Sequence, residues 1–242
     1  MIVASMSRYK EREMKNPIRM VLLGTVVSAA MATLPWALWA DTSPASGPPE
    51  IRLPQPATTG GMSLTEALAN RRSVRTFADK PLSTQDVAQL CWAAQGITKV
   101  ERGLRVAPSA HGLYPIGVFI VDKNGLYQYQ PKTHALHRLA DGDMLQKLRA
   151  ATNQAPIAAA PLCMILTMDV QSLVPKCGDK AERYCLLEAG HVAENVLLQA
   201  TALGLVSVPV GGIDEAPVAK AMNLPTGLRP VYVLPVGYPK AN

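Results

Sequence analysis

Apolar and polar positions along the chain follow two periods, and the places where one gives way to the other outline the elements. In "SLTEALAN", Ser63 and Glu66 stand in the relation of a capping box, which predicts a helix starting at Leu64. In "KPLSTQDVAQLCWAAQG", Ser83 serves as N-cap and Asp86 falls in the first turn. Val87, Leu90, Cys91 and Ala94 recur at helical spacing, and Gly96 lies beyond the end. Two unbroken apolar runs, Ile116–Val121 and "APLCMILTMD" at 160–169, predict buried strands. Between them "DKNG" (122–125) predicts a hairpin turn through Asn124-Gly125 into the strand "LYQYQ", and 143–151 reads as a helix.

The longest helical pattern covers 181–204. Its polar positions Glu188, His191, Asn195 and Gln199 step by three and four along one narrow stripe, and nearly everything else is apolar. A helix apolar around most of its girth predicts burial on several sides, in a domain centre or a subunit interface. A strand over 205–214 ending in a Gly-Gly turn, a short helix over 215–222 and a last strand over 229–237 complete the chain. Helices and strands mix without steady βαβ alternation, so the pattern predicts an α+β fold. Neither GxGxxG nor GxxxxGK[ST] occurs.

The first 61 of the 242 residues follow a different pattern. Residues 1–19 carry five Lys/Arg against two Glu, and 20–40 carry no charge. A basic leader before an apolar run has the form of a secretory signal peptide, and the run is also long enough to act as a membrane anchor. Both alternatives imply export. Residues 41–61, rich in Pro, Gly, Ser and Thr, read as a linker, which leaves 62–242 as the folded domain. Counted from residue 41 there are 19 Lys/Arg and 16 Asp/Glu, so the net charge falls from +6 to +3 and nucleic-acid binding gains no support. Of the four cysteines, Cys91 and Cys163 fall within apolar patterns that suit buried free thiols, while Cys177 and Cys185 flank a loop-to-helix junction where they could pair. No spacing suggests a metal site.

Within a chain only 17% charged, Arg71, Arg72 and Arg75 stand together with Ser73 just past the helix at Leu64. By themselves they read equally as a solvated cluster or as an anion site built from guanidinium forks and a hydroxyl.

Six blocks in order, "RRSVRTF", "APSAHGLYP", "GLYQYQPKTHALHRL", "KCGDKAERYCLLEAGHVAENVLLQATALGL", "VPVGGID" and "YVLPVG", resemble the nitroreductase-like flavoproteins over roughly 64–239. The likeness is strongest to their SagB-type branch, which includes azoline dehydrogenases. The resemblance implies a nitroreductase-like α+β fold, with a central, mostly antiparallel sheet flanked by helices. It also implies a homodimer with FMN bound in clefts between the subunits. Carried over by position, Arg71, Ser73 and Arg75, with Arg72 beside them, would hold the flavin phosphate and ribityl chain. Pro108, Ser109, Ala110 and His111 would form the loop that one subunit lends to the other's flavin. Gly211 and Gly212 would present backbone amides to the N5 edge, and Lys240 stands alone as the basic residue near the C-terminus. Gly112 occupies a position where many members have asparagine and the SagB branch has glycine.

Lys176 and Cys177 fall where azoline dehydrogenases of this type carry a catalytic Lys-Tyr pair, so the phenol is replaced by a thiol. The resemblance thus implies an FMN-dependent oxidoreductase that passes a hydride through N5 to or from a small organic substrate, its electron donor unidentified. A peptide azoline dehydrogenase and a non-catalytic exported flavin-binding protein are the alternatives. His111 is the histidine best placed to touch substrate; His134 and His137 read as surface residues, and His191 as a structural hydrogen-bonding group.

Overall fold

The computed structural model describes residues 50–241. The expected signal peptide or anchor (1–40) and the first nine residues of the expected linker lie outside the described residues. Among the described residues, a seven-stranded sheet is built from β1 (Glu50–Arg52), β4 (Ile116–Val121), β5 (Gly125–Gln130), β6 (Ala135–Asp141), β7 (Leu162–Met168), β8 (Val206–Ser207) and β9 (Arg229–Gly237). Its order is β1-β6-β5-β4-β7-β9-β8, and every one of these ladders is antiparallel. A small hairpin pairs β2 (Ile97–Lys99) with β3 (Leu104–Arg105).

Helices cover both faces. The side chains of β7 alternate between two apolar layers, as the two-residue period of a strand requires. Met164 and Leu166 pack with Leu90 and Cys91 of α2 (Thr84–Gln95) and with Ala189, Val192 and Val196 of α6 (Ala181–Ala202). Cys163 and Ile165 pack on the opposite face with Leu148 of α3 (Met144–Thr152), Ile157 of α4 (Ala155–Ala159), and Val218 and Met222 at α7 (Glu215–Ala221). A strand covered on both faces has no polar side to show, hence the unbroken apolar runs of β4 and β7. Each fully buried Leu or Ile contributes about 1.5–3 kcal/mol.

Local signals act where they were expected. Ser63 and Glu66 close a capping box on α1 (Leu64–Asn70), and Ser83 with Asp86 does the same on α2. The Asp122 carboxylate accepts from the amides of Asn124 and Gly125, both at 2.8 Å, fixing the β4–β5 turn. Gly125 is also required for space, since a Cβ there would meet the carbonyl oxygen of Ala140 at 2.5 Å.

Three expectations are corrected. Residues 50–57 are not linker: Ile51 of β1 pairs with Leu136, Leu53 is buried, and the Gln89 side chain bonds both the amide and the carbonyl of Ala57. The folded part therefore includes the residues from Glu50 on and does not start at 62. Three residues before a proline are too short for a readable period, and an edge strand tolerates the prolines that follow. His134 and His137 are half-buried rather than surface residues: His137 lies in β6, and His134, in the turn before it, is held by the Tyr129 hydroxyl and the Pro54 carbonyl, each at 2.9 Å. The strand expected over 205–214 shrinks to β8 plus one bridge, Val210 to Val233. A further helix, α5 (Val170–Cys177), precedes α6. All four cysteines are free, with Cys91, Cys163 and Cys185 buried.

Candidate active site

The arginine segment lies against β8. Ser73 forms a parallel bridge with Ser207, and the amide of Val74 donates to the Ser207 carbonyl at 3.0 Å. Three residues along the same run, Val210 bridges Val233, and Gly211-Gly212 follow outside regular secondary structure. At about 3.3 Å per fully extended residue, Gly211 can lie at most roughly 13 Å from Ser207. Gly211 passes so close to Tyr232 that a Cβ would meet the ring at 3.0 Å, whereas a Cβ on Gly212 would have nothing within 4 Å. Gln154 donates to the Gly212 carbonyl at 3.0 Å. The C-terminal segment returns to the same place, because Phe77 bridges Pro239 and the amide of Ala78 donates to the carbonyl of Tyr238. Lys240, one residue on, is thereby brought to the arginine segment, 165 positions from Arg75 in sequence.

The charges on this edge are free. Arg71 approaches Glu194 at 3.8 Å, while Arg72, Ser73, Arg75 and Lys240 are exposed. Neither Arg72, Arg75 nor Lys240 forms an ion pair among the described residues. Three unneutralised cations beside a hydroxyl suit a phosphate-bearing ligand.

The other expected residues sit elsewhere in the chain. Pro108, Ser109, Ala110 and His111 form the loop before β4, where His111 (φ 54°) and Gly112 (φ 66°) take left-handed backbone conformations. Lys176 and Cys177 end α5, with the lysine exposed and Cys177 packed against the apolar layer shared with α6. Among the described residues, no hydrogen bond joins the β8 edge, the 108–112 loop and the Lys176 corner. Within one chain the expected residues thus fall on three segments of different elements. A cavity of about 550 Å³, floored by Ile51, Leu53, Ile120 and Leu136, contains none of these residues.

The chain as a whole matches a known family. A model described as "Nitroreductase family" matches residues 68–238. A nitroreductase-family protein of Methanocaldococcus jannaschii is 33% identical over 195 residues, covering 78% of this chain and 96% of the relative. The chain belongs to the nitroreductase family. A nitroreductase crystal structure from Ralstonia eutropha JMP134 is 31% identical, covers 80% of this chain and 90% of its own, and superposes with a TM-score of 0.73. One from Anabaena variabilis gives a TM-score of 0.70 at 23% identity, and this chain spans 42% of its length. The Escherichia coli microcin synthetase McbBCD complex with truncated pro-MccB17 bound gives 0.62 at 21% identity, a likeness of fold alone.

On this nitroreductase fold the polar residues best held in place are ones the pattern did not single out. Arg229 makes a two-pronged ion pair to Glu215 (2.7 and 3.1 Å) and a third bond to Glu182 (2.7 Å). It thereby ties the start of α7, just past Gly211-Gly212, to the start of α6, just past Cys177. These carboxylates hold the guanidinium pKa above its ordinary value. Glu188, one of four stripe positions on α6, proves to be buried, while His191 is exposed and Asn195 and Gln199 are half-buried. A stripe of this pitch drifts across the helix face, so its members meet different neighbours. The signal available beforehand was that Glu188 is the only carboxylate among stripe positions on a helix expected to be buried.

Proposed function

We propose that the protein is an FMN-dependent oxidoreductase acting as a homodimer on a small organic substrate. The observation that carries this reading is the β8 edge, where the segment with Arg72, Ser73 and Arg75, neither of these arginines ion-paired, bridges Ser207, four residues before Gly211-Gly212, and the segment with Lys240 returns beside it. Arg71, Ser73, Arg75 and Lys240 would hold the phosphate, since guanidinium forks match its oxygens and stay charged at every working pH. Gly211 and Gly212 would bring backbone amides to the ring edge without a side chain in the way. Bound FMN supplies hydride transfer at N5. The exposed Lys176 side chain is available for proton transfer with the substrate, and solvent can do the same.

A second copy would complete the site. Leu186, Leu187, Gly190, His191 and Glu194 form one exposed stripe along α6, beside α1, whose Leu64 and Leu68 are 66% and 55% exposed. Covering this apolar area supplies a driving force for association, and the partner's 108–112 loop would then close over the flavin. Export directed by residues 1–40 fits a reductant other than NAD(P)H, such as a redox protein.

The test is direct. The full chain is purified, its visible spectrum recorded, and the released flavin identified by chromatography. Yellow protein yielding FMN, dimeric by light scattering and reducible by dithionite, is the expected result. Colourless protein that takes up no FMN on reconstitution would sink the reading, and bound flavin that never turns over would leave a flavin-binding protein. A second reading, peptide azoline dehydrogenase, is favoured by the position of Lys176 at the α5–α6 corner. Oxidation of a thiazoline peptide to a thiazole separates it from the first.

A further inference from the structure

Glu188 is only 2% exposed, although it carries a carboxyl group. Its Oε1 accepts from Gln95 Nε2 at 3.3 Å, but Oε2, equally buried, has no hydrogen-bond partner. From there a chain of contacts runs outward. Gln95 Oε1 accepts from Arg105 Nη1 at 3.3 Å, and the Arg105 guanidinium lies 4.5 Å over the Tyr114 ring. The Arg105 amide donates to the Tyr114 hydroxyl at 3.1 Å, and the Tyr114 amide donates to Ser109 Oγ at 2.8 Å. Ser109 in turn lies beside the Glu188 carboxyl, which closes the circuit.

The circuit encloses the loop before β4. Its residues His111 (φ 54°), Gly112 (φ 66°) and Tyr114 (φ 52°) all adopt left-handed backbone conformations. For His111 and Tyr114 that conformation is unfavourable and persists only where the surroundings enforce it. Besides the turn bonds from the Gly112 amide to the Ser109 carbonyl (3.1 Å) and from the Leu113 amide to the Ala110 carbonyl (3.2 Å), the two anchors on the Tyr114 side chain and amide lead back to Glu188.

We propose that Glu188 is the positioning residue for the Pro108–Tyr114 loop, holding its left-handed shape through Gln95, Arg105 and Ser109 so that the loop can meet the flavin. This rests on the reading that the loop faces FMN. The neutral acid suits the site better than the carboxylate. It avoids the cost of a buried charge and can donate from Oε2 to Ser109 Oγ, whereas the carboxylate can only accept, so that Ser109 must then turn its own hydroxyl toward it. Burial pushes the Glu188 pKa up, against the opposing pulls of Ser109, Gln95, Arg105 and the Ile116 amide. Other titratable groups around it are Arg105, Tyr114, Tyr129 and Cys185, with His111 in the loop itself.

The experiment compares the full chain with Glu188→Gln and Glu188→Leu. Amide hydrogen exchange of the 106–116 segment is followed without flavin across neutral and mildly acidic pH, with correction for intrinsic exchange. Circular dichroism verifies the fold of each variant. Glutamine keeps a donor at the free oxygen's place, so Glu188→Gln should protect the loop at every pH. The wild type should lose protection as pH rises, and Glu188→Leu should lack it throughout, with at least tenfold faster exchange and about tenfold weaker FMN binding. His111 is common to all three proteins and cancels in the comparison. Equal loop exchange in all three proteins, or the same pH dependence in wild type and Glu188→Gln, overturns the proposal even if Glu188→Leu does not fold. Altered exchange with unchanged FMN affinity also overturns it as a statement about flavin. A wild type that binds no FMN defeats the proposed function instead, and the exchange result still decides the loop.

Discussion

The β8 edge and the cluster around Glu188 both gather charged residues, but they do so in opposite solvents. Arg72, Arg75 and Lys240 stand in water without ion-pair partners among the described residues. Glu188, Gln95, Arg105, Tyr114 and Ser109 satisfy one another inside the fold, save for one oxygen. Charges in water cost the folded chain little and remain available to a ligand. Polar groups in the interior are costly unless paired, so they act on the chain itself. The first region should therefore govern binding and the second should govern shape.

The largest effect should come from breaking the interior cluster. Arg105→Met leaves Gln95 Oε1 without its donor and removes the cation over Tyr114, so the unfolding free energy in urea should fall by about 3 kcal/mol. A loss below about 1 kcal/mol would show that the cluster is not a unit. Arg75→Ala should do the reverse. FMN binding should weaken by about 1.5–3 kcal/mol, the range for a charge-assisted bond. Stability should stay within about 0.5 kcal/mol, because nothing in the folded chain depends on that side chain. If calorimetry finds equal FMN affinity, the arginine segment is a solvated cluster after all.

Lys176 belongs with the exposed class. If solvent can deliver the proton, Lys176→Ala should change turnover with a quinone or nitroaromatic acceptor by less than tenfold, about 1.4 kcal/mol. A hundredfold loss with flavin still bound would place the catalytic burden on this corner. The smallest effect is on stability against pH. Glu188 has its folded pKa raised by burial, so the folded chain keeps a proton that the unfolded chain has released. The stabilisation is complete below the ordinary glutamate range and is lost as pH rises through the raised folded value. Denaturant midpoints of wild type should therefore fall relative to Glu188→Gln with rising pH; a constant difference would mean that Glu188 does not titrate between the two states.

What could be read in advance was whatever a few neighbouring residues decide among themselves. The capping boxes at Ser63 and Ser83, the Asp122–Gly125 turn and the two-faced apolar runs of β4 and β7 are local matters of hydrogen-bond reach and side-chain period. The α+β class followed from their order, and the candidate residues of the β8 edge from motif resemblance. The sequence by itself, however, left Arg71–Arg75 equally an anion site and a surface cluster. Only the tertiary structure sets Ser73 against Ser207 and Pro239 against Phe77, because such bridges join positions more than a hundred residues apart and leave no mark in a local window. The edge strand β1 and the polar-looking β6 were hidden for the same reason, since each is a strand by virtue of its neighbour. Glu188 marks the limit most sharply. Its place in the helix was legible, but whether its carboxyl met water or Gln95 depended on how α2, β3 and the loop before β4 close over that turn of α6.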